Sequence, residues 1–377
     1  MWSYWEKTTF LEYDYVVVGG GLVGMSTALS IREREPRARI LIIDSGWLPQ
    51  GASTRNAGFA CFGSLSEIVA DLRTHTEAEV IELILLRWKG LQMLRKRLGD
   101  EKIEYTPCGS HELIWEASLP VLEDLNRINN MLHPILGEKV FSEDAHAVKK
   151  FGFSKEIKTC VYNRLEGGLH TGKMIEGLAR LCGREGIDIR NGGTLENWEE
   201  NQNGVKVIVR CGNDTFPLRT GKLLLCTNAF TKKLFPDLDI QPGRGQILIT
   251  QPIPGLSVKG IFHFEDGYYY FRNIGDRVLF GGGRNLDFSA EETLDFGTTD
   301  AVQDQLKHYL KSVILPQTSF DIDYSWSGIM AFGSKRGPII QPVSRHVWMG
   351  VRMGGMGVAI GSAVGNQLAE KITQHSH

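Results

Sequence analysis

Apolar residues along this chain recur with two periods, and each change of period marks where a strand gives way to a helix. Tyr15-Val16-Val17-Val18 is a β-branched run without a polar gap, the pattern of a strand covered on both faces in a parallel sheet. Gly19-Gly20-Gly21-Leu22-Val23-Gly24 follows it as G-x-G-x-x-G, after which Leu22, Met25, Ala28, Leu29 and Ile31 fall at helical spacing. Arg39-Ile40-Leu41-Ile42-Ile43 returns as a strand and delivers Asp44 at its end. Together these are the parts of a dinucleotide-binding unit. Gly19 permits the tight turn, Gly21 lets backbone approach a pyrophosphate, and Gly24 lets the helix lie close on the strand. Leu22 and Val23 open that helix, whose positive end favours an anion. Asp44 lies 20 residues beyond Gly24, where a carboxylate accepts hydrogen bonds from ribose hydroxyls. An acid there argues against a 2′-phosphate, while the pattern by itself suits FAD and NAD equally.

The remaining periodicities extend the picture. Residues 1–14 form an aromatic extension expected to lie over the first strand, with a contact to another subunit as the alternative. From Ser45 to Phe59 runs a loop too long for an ordinary strand-to-helix turn. Its small residues, Ala52, Ala57 and Gly58 among them, let backbone lie against a flat ligand, while Ser53, Arg55 and Asn56 reach toward phosphates or ring heteroatoms. Val80, Ile81, Ile84, Leu85, Trp88, Leu91 and Leu94 give residues 77–98 one apolar helical face. Further helices are expected over 119–136 and after His170. The buried strand Leu223-Leu224-Leu225-Cys226, closing on Thr227 and Asn228, reads as a return to the nucleotide domain. Between 240 and 326 the pattern shortens to strands split by Asp-Gly and Gly-Asp turns, the signature of an antiparallel sheet. His346 to Arg352 is again a strand, and Met353-Gly354-Gly355-Met356-Gly357-Val358 makes a second glycine turn into a terminal helix. That turn sets free backbone N–H groups where negative charge is stabilised. The fold class is therefore α/β, with a discontinuous Rossmann-like domain (1–80, 150–235, 335–377) and a second α+β domain (81–149, 236–334) on a mostly antiparallel sheet.

Composition removes several function classes. A chain of 377 residues at 42% hydrophobic content has the material for two cored domains. The formal charge of −2 carries no basic stripe, which argues against nucleic acid. Six scattered cysteines without C-x-x-C point to reduced thiols, to a cytoplasmic setting, and to neither disulfides nor a metal site. No secretory signal or transmembrane run is visible.

Taken together, the first glycine turn, the Gly51-Ala52-Ser53-Thr54-Arg55-Asn56-Ala57-Gly58 loop, the Pro242-Gly243-Arg244-Gly245-Gln246 turn, the Tyr268-Tyr269-Tyr270 strand, Trp326-Ser327-Gly328 and the second glycine turn resemble a known group. They are those of FAD-dependent amine and amino-acid oxidoreductases of the D-amino-acid oxidase, glycine oxidase and sarcosine oxidase superfamily. The Ala-Ser-x-Arg-Asn-x-Gly loop looks most like the γ-glutamylputrescine oxidase branch. The resemblance implies that this loop lies over the isoalloxazine, that Leu195 contacts adenine through its backbone, and that Gly354 to Val358 face the flavin ring. It also implies hydride transfer from an amine-bearing carbon to flavin N5, hydrolysis of the resulting imine, and reoxidation by O2 or an electron carrier.

Arg352 matches a carboxylate-binding arginine of glycine oxidase, with a structural salt bridge as the alternative role. Tyr268, Tyr270 and Arg272 share one strand face and form a second candidate group, lining either the substrate cavity or the core. His170 and His263 read more simply as structural residues. Met330 stands where several relatives carry an arginine, and no cysteine occupies the segment that anchors flavin covalently in some sarcosine oxidases, so non-covalent FAD is expected. Cys61 is the rival attachment point. An NAD-dependent dehydrogenase and a flavin-binding protein without turnover are the competing readings.

Overall fold

In the computed structural model, which describes residues 2–374, the strands form two eight-stranded sheets and one short two-stranded pair. The first is built on Glu12–Val18, flanked in parallel by Ile40–Asp44 and Asp214–Leu225. Asp188–Asn191 extends one edge in parallel, and Val347–Val351 followed by the antiparallel Ile339–Pro342 extends the other. The β-branched run behaves as its pattern requires: Val17 and Ile42 enter the core on one face, Val16, Val18, Leu41 and Ile43 that on the opposite face.

Register brings the carboxyl ends of three strands into line, since Val18 pairs with Leu225 and Leu225 with Met349. Both glycine turns therefore leave from one rim of the sheet. The helices they open, Leu22–Arg34 and Gly357–Gln374, pack directly on each other. A methyl group on Gly361 would stand 2.9 Å from Leu22, and one on Gly365 2.7 Å from the Thr27 backbone nitrogen. The small residues of the second helix thus set how closely the two helix starts approach.

The second sheet runs in the order Ile322–Phe332, Gln241–Thr250, Arg277–Gly282, Tyr269–Ile274, Ile261–Phe264, Ser110–Trp115, Ile157–Asn163 and Phe141–Glu143. Every pair is antiparallel except Ile261–Phe264 with Ser110–Trp115. Phe262, Phe264, Phe271 and Phe280 fill a core on its outer side. Three expectations shift. Ile157–Asn163 belongs to this sheet although it falls within the stretch read with the nucleotide domain. Conversely, Leu91, Leu94 and Leu98 of the Glu77–Leu98 helix join the nucleotide-domain core. Pro242 to Gln246 is not a turn but the start of a strand; Pro242 is tolerated because the Arg277–Gly282 strand reaches only as far as Gln246.

At the amino terminus Tyr4–Phe10 is a helix, and Trp2 packs on Phe216 while Tyr4 and Trp5 stay exposed. No helix among the described residues is long and apolar enough to cross a membrane.

Candidate active site

The nucleotide end is a cradle that side chains would fill. A methyl group on Gly19 would meet the Cys226 carbonyl oxygen at 2.6 Å, one on Gly21 the Ser53 hydroxyl at 2.9 Å, and one on Gly24 the Gly19 carbonyl oxygen at 1.9 Å. Gly21 caps the Leu22–Arg34 helix without a side chain of its own, leaving the first-turn N–H groups of Leu22, Val23 and Gly24 to outside partners. Ser53 supplies one of these, its hydroxyl accepting from Leu22 N–H at 3.0 Å. Asp44 accepts from the N–H of Gly20 at 2.8 Å and of Gly46 at 2.9 Å, and each carboxylate oxygen keeps a further lone pair. Ser45 beside it is exposed. The chain leading to Leu195 passes the same rim, with Gly193 N–H donating to the Asp44 carbonyl oxygen at 3.0 Å. Such a rim suits an adenosine diphosphate: open donors at a helix start, and a carboxylate one strand away.

Residues 51–58 are more ordered than a loop. Ala52–Arg55 is one helical turn, and Asn56 closes it by donating to the carbonyl oxygens of Ala52 and Ser53 and accepting from Gly58 N–H. Asn56 and Arg55 are thus committed within the protein. The Arg55 guanidinium lies 4.4 Å from the Phe296 ring centre and donates to the Ser327 carbonyl oxygen at 2.9 Å, while its own carbonyl accepts from the Trp326 indole. The loop is riveted to the second sheet, where Ala57 packs with Ile247, Ile249 and Leu279.

Tyr268, Tyr270 and Arg272 do share a face, since Tyr269 and Phe271 fill the opposite core. Arg272 reaches the loop, donating to the carbonyl oxygens of Gly58 at 2.9 Å and Leu169 at 3.0 Å. The Tyr270 ring meets Phe59 edge-on at 5.6 Å, and burial pushes its phenol up to about 12, so it stays protonated. Gly243, Gly245, Gly281 and Gly328 occupy the same sheet face, and neighbouring side chains lean into the space they leave. Phe332 fills that at Gly243, Met330 that at Gly245, and the Tyr270 ring that at Gly281. The outcome is a low, apolar floor beneath the second glycine turn.

That turn is left-handed at Arg352, Gly354 and Gly355, with φ of +67°, +58° and +80°. Asn228, itself left-handed, holds it by accepting from the N–H of Arg352 at 3.1 Å and of Met353 at 3.3 Å. Its neighbour Thr227 bonds Thr231. Met356, Gly357 and Val358 carry the chain into the second helix, with Met356 N–H returning to the Met353 carbonyl. The Arg352 guanidinium does not face the floor. It donates to the Asp239 carboxylate at 2.6 Å and to the carbonyl oxygens of Asp239 and Gly337. This is the salt-bridge arrangement weighed from sequence.

His170 caps the Thr171–Arg184 helix through Nδ1. Burial pushes the Cys61 thiol well above its ordinary range, which makes it a poor nucleophile, and all six cysteines are free. Sequence reasoning missed Arg284 and Phe332, which border the floor and which only the strand register brings there.

The family described as FAD dependent oxidoreductase (DAO) matches residues 14–371. The chain is 22% identical to an L-2-hydroxyglutarate dehydrogenase of Escherichia coli O17:K52:H18 (strain UMN026), over 80% of this chain and 73% of that one. It is 23% identical to the gamma-glutamylputrescine oxidoreductase of Escherichia coli strain K12, over 95% and 83%. Among solved structures, L-proline dehydrogenase from P. horikoshii superposes with a TM-score of 0.76 at 17% identity, covering 97% of this chain and 94% of that one. With the cradle, the converging helix starts and this match over nearly its whole length, the chain belongs to the DAO family of FAD-dependent oxidoreductases.

Proposed function

We propose that this enzyme oxidises a C–N bond of an amine or amino acid, using FAD held without a covalent bond. Gly19, Gly21, Leu22, Val23, Gly24, Asp44 and Ser53 hold the dinucleotide, and residues 354–358 face the ring. FAD, when bound, accepts the hydride from the amine-bearing carbon. The observation that carries this reading is the chemistry of the floor. Tyr270, Met330, Phe332 and Phe59 exclude water and offer no group that takes up a proton at neutral pH. A neutral amine loses hydride with its own lone pair as the driving force, whereas an alcohol also has to give its hydroxyl proton to a base.

A second reading, oxidation of a 2-hydroxy acid, is favoured by one residue. His263 pairs with Tyr270 across two strands and shares its sheet face. It is one strand further from the glycine turn, and burial brings its imidazole down to about 4, which leaves it neutral but weakly basic.

The test is anaerobic bleaching of the FAD-loaded protein by amino acids, N-methyl amino acids, polyamine derivatives and 2-hydroxy acids. Bleaching by an amine is expected. Bleaching by a hydroxy acid alone, lost in His263→Ala, would establish the second reading instead.

A further inference from the structure

The arginines near the floor differ in one respect. Arg352 is paired with Asp239, Arg272 donates from one terminal nitrogen to the backbone carbonyls of Gly58 and Leu169, and Arg244 holds Glu291 with two bonds of 2.8 and 3.0 Å. Arg284 has no such partner. Among the described residues nothing accepts a hydrogen bond from it, and the carboxylate whose charge reaches it, Glu291, is already occupied by Arg244, Gln246 and Thr299. Aromatic rings hold the guanidinium instead: it lies 4.0 Å from the Phe332 ring centre and 4.8 Å from that of Phe288. Stacking takes up the faces of a guanidinium and leaves its N–H edge free, which is the fork that grips a carboxylate. Partial burial makes an unpaired cation costly, so an anion arriving there gains more than it would at an open surface.

Position ties this cation to the chemistry. The same Phe332 ring lies 3.7 Å from where a methyl group on Gly355 would stand, in the turn expected to face the flavin. Arg284 Cδ lies 3.3 Å from the corresponding point at Gly243, on the floor itself. One aromatic ring therefore separates the cation from the flavin-facing turn. We infer that Arg284 binds the carboxylate of the substrate, so that the enzyme acts on a carboxylate-bearing amine, with Phe288 and Phe332 presenting the fork. The inference rests on the reading of the site given above.

The test uses the FAD-loaded protein, with benzoate as probe and benzamide as its neutral counterpart, followed through the visible spectrum of the bound flavin. Benzoate should perturb the wild-type spectrum saturably and benzamide should not. Arg284→Met should weaken benzoate by about 30-fold or more, the effect of removing one partner of a desolvated charge pair. Arg284→Lys, which keeps the charge and loses the fork, should recover part of that affinity. FAD content and melting temperature of both variants should stay at wild-type values. Benzoate binding unchanged in Arg284→Met, equal binding of benzamide, or no benzoate response in flavin-loaded wild type would each overturn the assignment. If amines still bleach the flavin in those cases, only the role of Arg284 falls. Protein that takes up no FAD would remove the site reading and this inference with it.

Discussion

The two glycine turns reach one rim of the sheet and need glycine for different reasons. At the first, backbone crowds the space: methyl groups at 19 and 24 would stand 2.6 and 1.9 Å from the carbonyl oxygens of Cys226 and Gly19 respectively. At the second the space is open, with nothing nearer than 3.6 Å at Gly354 and 3.7 Å at Gly355. There the left-handed backbone alone calls for glycine, whereas Gly19 at the first turn adds a φ of +109° to the crowding. The support differs too. The first turn is clamped by its own strands, whereas the second hangs between Asn228 and the Arg352–Asp239 pair. A motif closed by local packing and one held by distant side chains should fail in different ways.

The largest expected effect is at the first turn. Gly24→Ala sets a methyl group against backbone that cannot move without pulling the helix off the strand. Overpacking of this kind costs about 3 kcal/mol or more, and here it also displaces the N–H groups at the helix start. Purified Gly24→Ala should be colourless and melt well below wild type. Stoichiometric FAD at an unchanged melting temperature would show that the close approach is not what binds the cofactor.

An intermediate effect is expected at the support of the second turn. Asp239→Ala leaves the buried Arg352 guanidinium without its carboxylate. Because Asp239 is itself half exposed, the loss is discounted to about 1–2 kcal/mol. The Asp239 carboxyl lies below its ordinary 3.8 because the backbone and hydroxyl of Ser334 donate to it, with Arg352 adding a smaller pull. A carboxylate whose value is depressed in the folded state stabilises above its unfolded value and loses that contribution as pH falls through the folded one. The wild type should therefore keep this contribution from neutrality down to about pH 3.8 and lose it below. Thermal melts of both proteins across that range would measure it. Equal melting temperatures at neutral pH would mean that the pair does not hold the turn.

How much could be read from sequence follows the same divide. The first turn was legible because its signal is local: an apolar run, spaced glycines and an acid all fall within 30 residues. Arg352 was placed correctly beside the second turn, but its partner lies 113 positions away and carries no periodic mark. Gly243 and Gly245 suggested a turn because glycine and proline do so on average. Only the pairing with Ile322–Phe332 shows that they hollow out a strand face instead. Arg284 gave no signal at all, since an arginine after three glycines reads as loop until the fold brings Phe288 and Phe332 beside it.

The smallest effect is expected at Gly355, and it sharpens the contrast most. The atoms nearest to a methyl group there, the Met330 sulfur and the Phe332 ring edge, stand at ordinary contact distance, so the cost is that of an alanine held at φ +80°. That is about 1–2 kcal/mol, spread over a terminal turn that Asn228 and the helix behind it still brace. Gly355→Ala should retain FAD and melt only a few degrees lower, with the change appearing in the flavin spectrum rather than in cofactor content. If it instead lost FAD as fully as Gly24→Ala, the second turn would be a packing element like the first, and the distinction between crowded and open glycines would collapse.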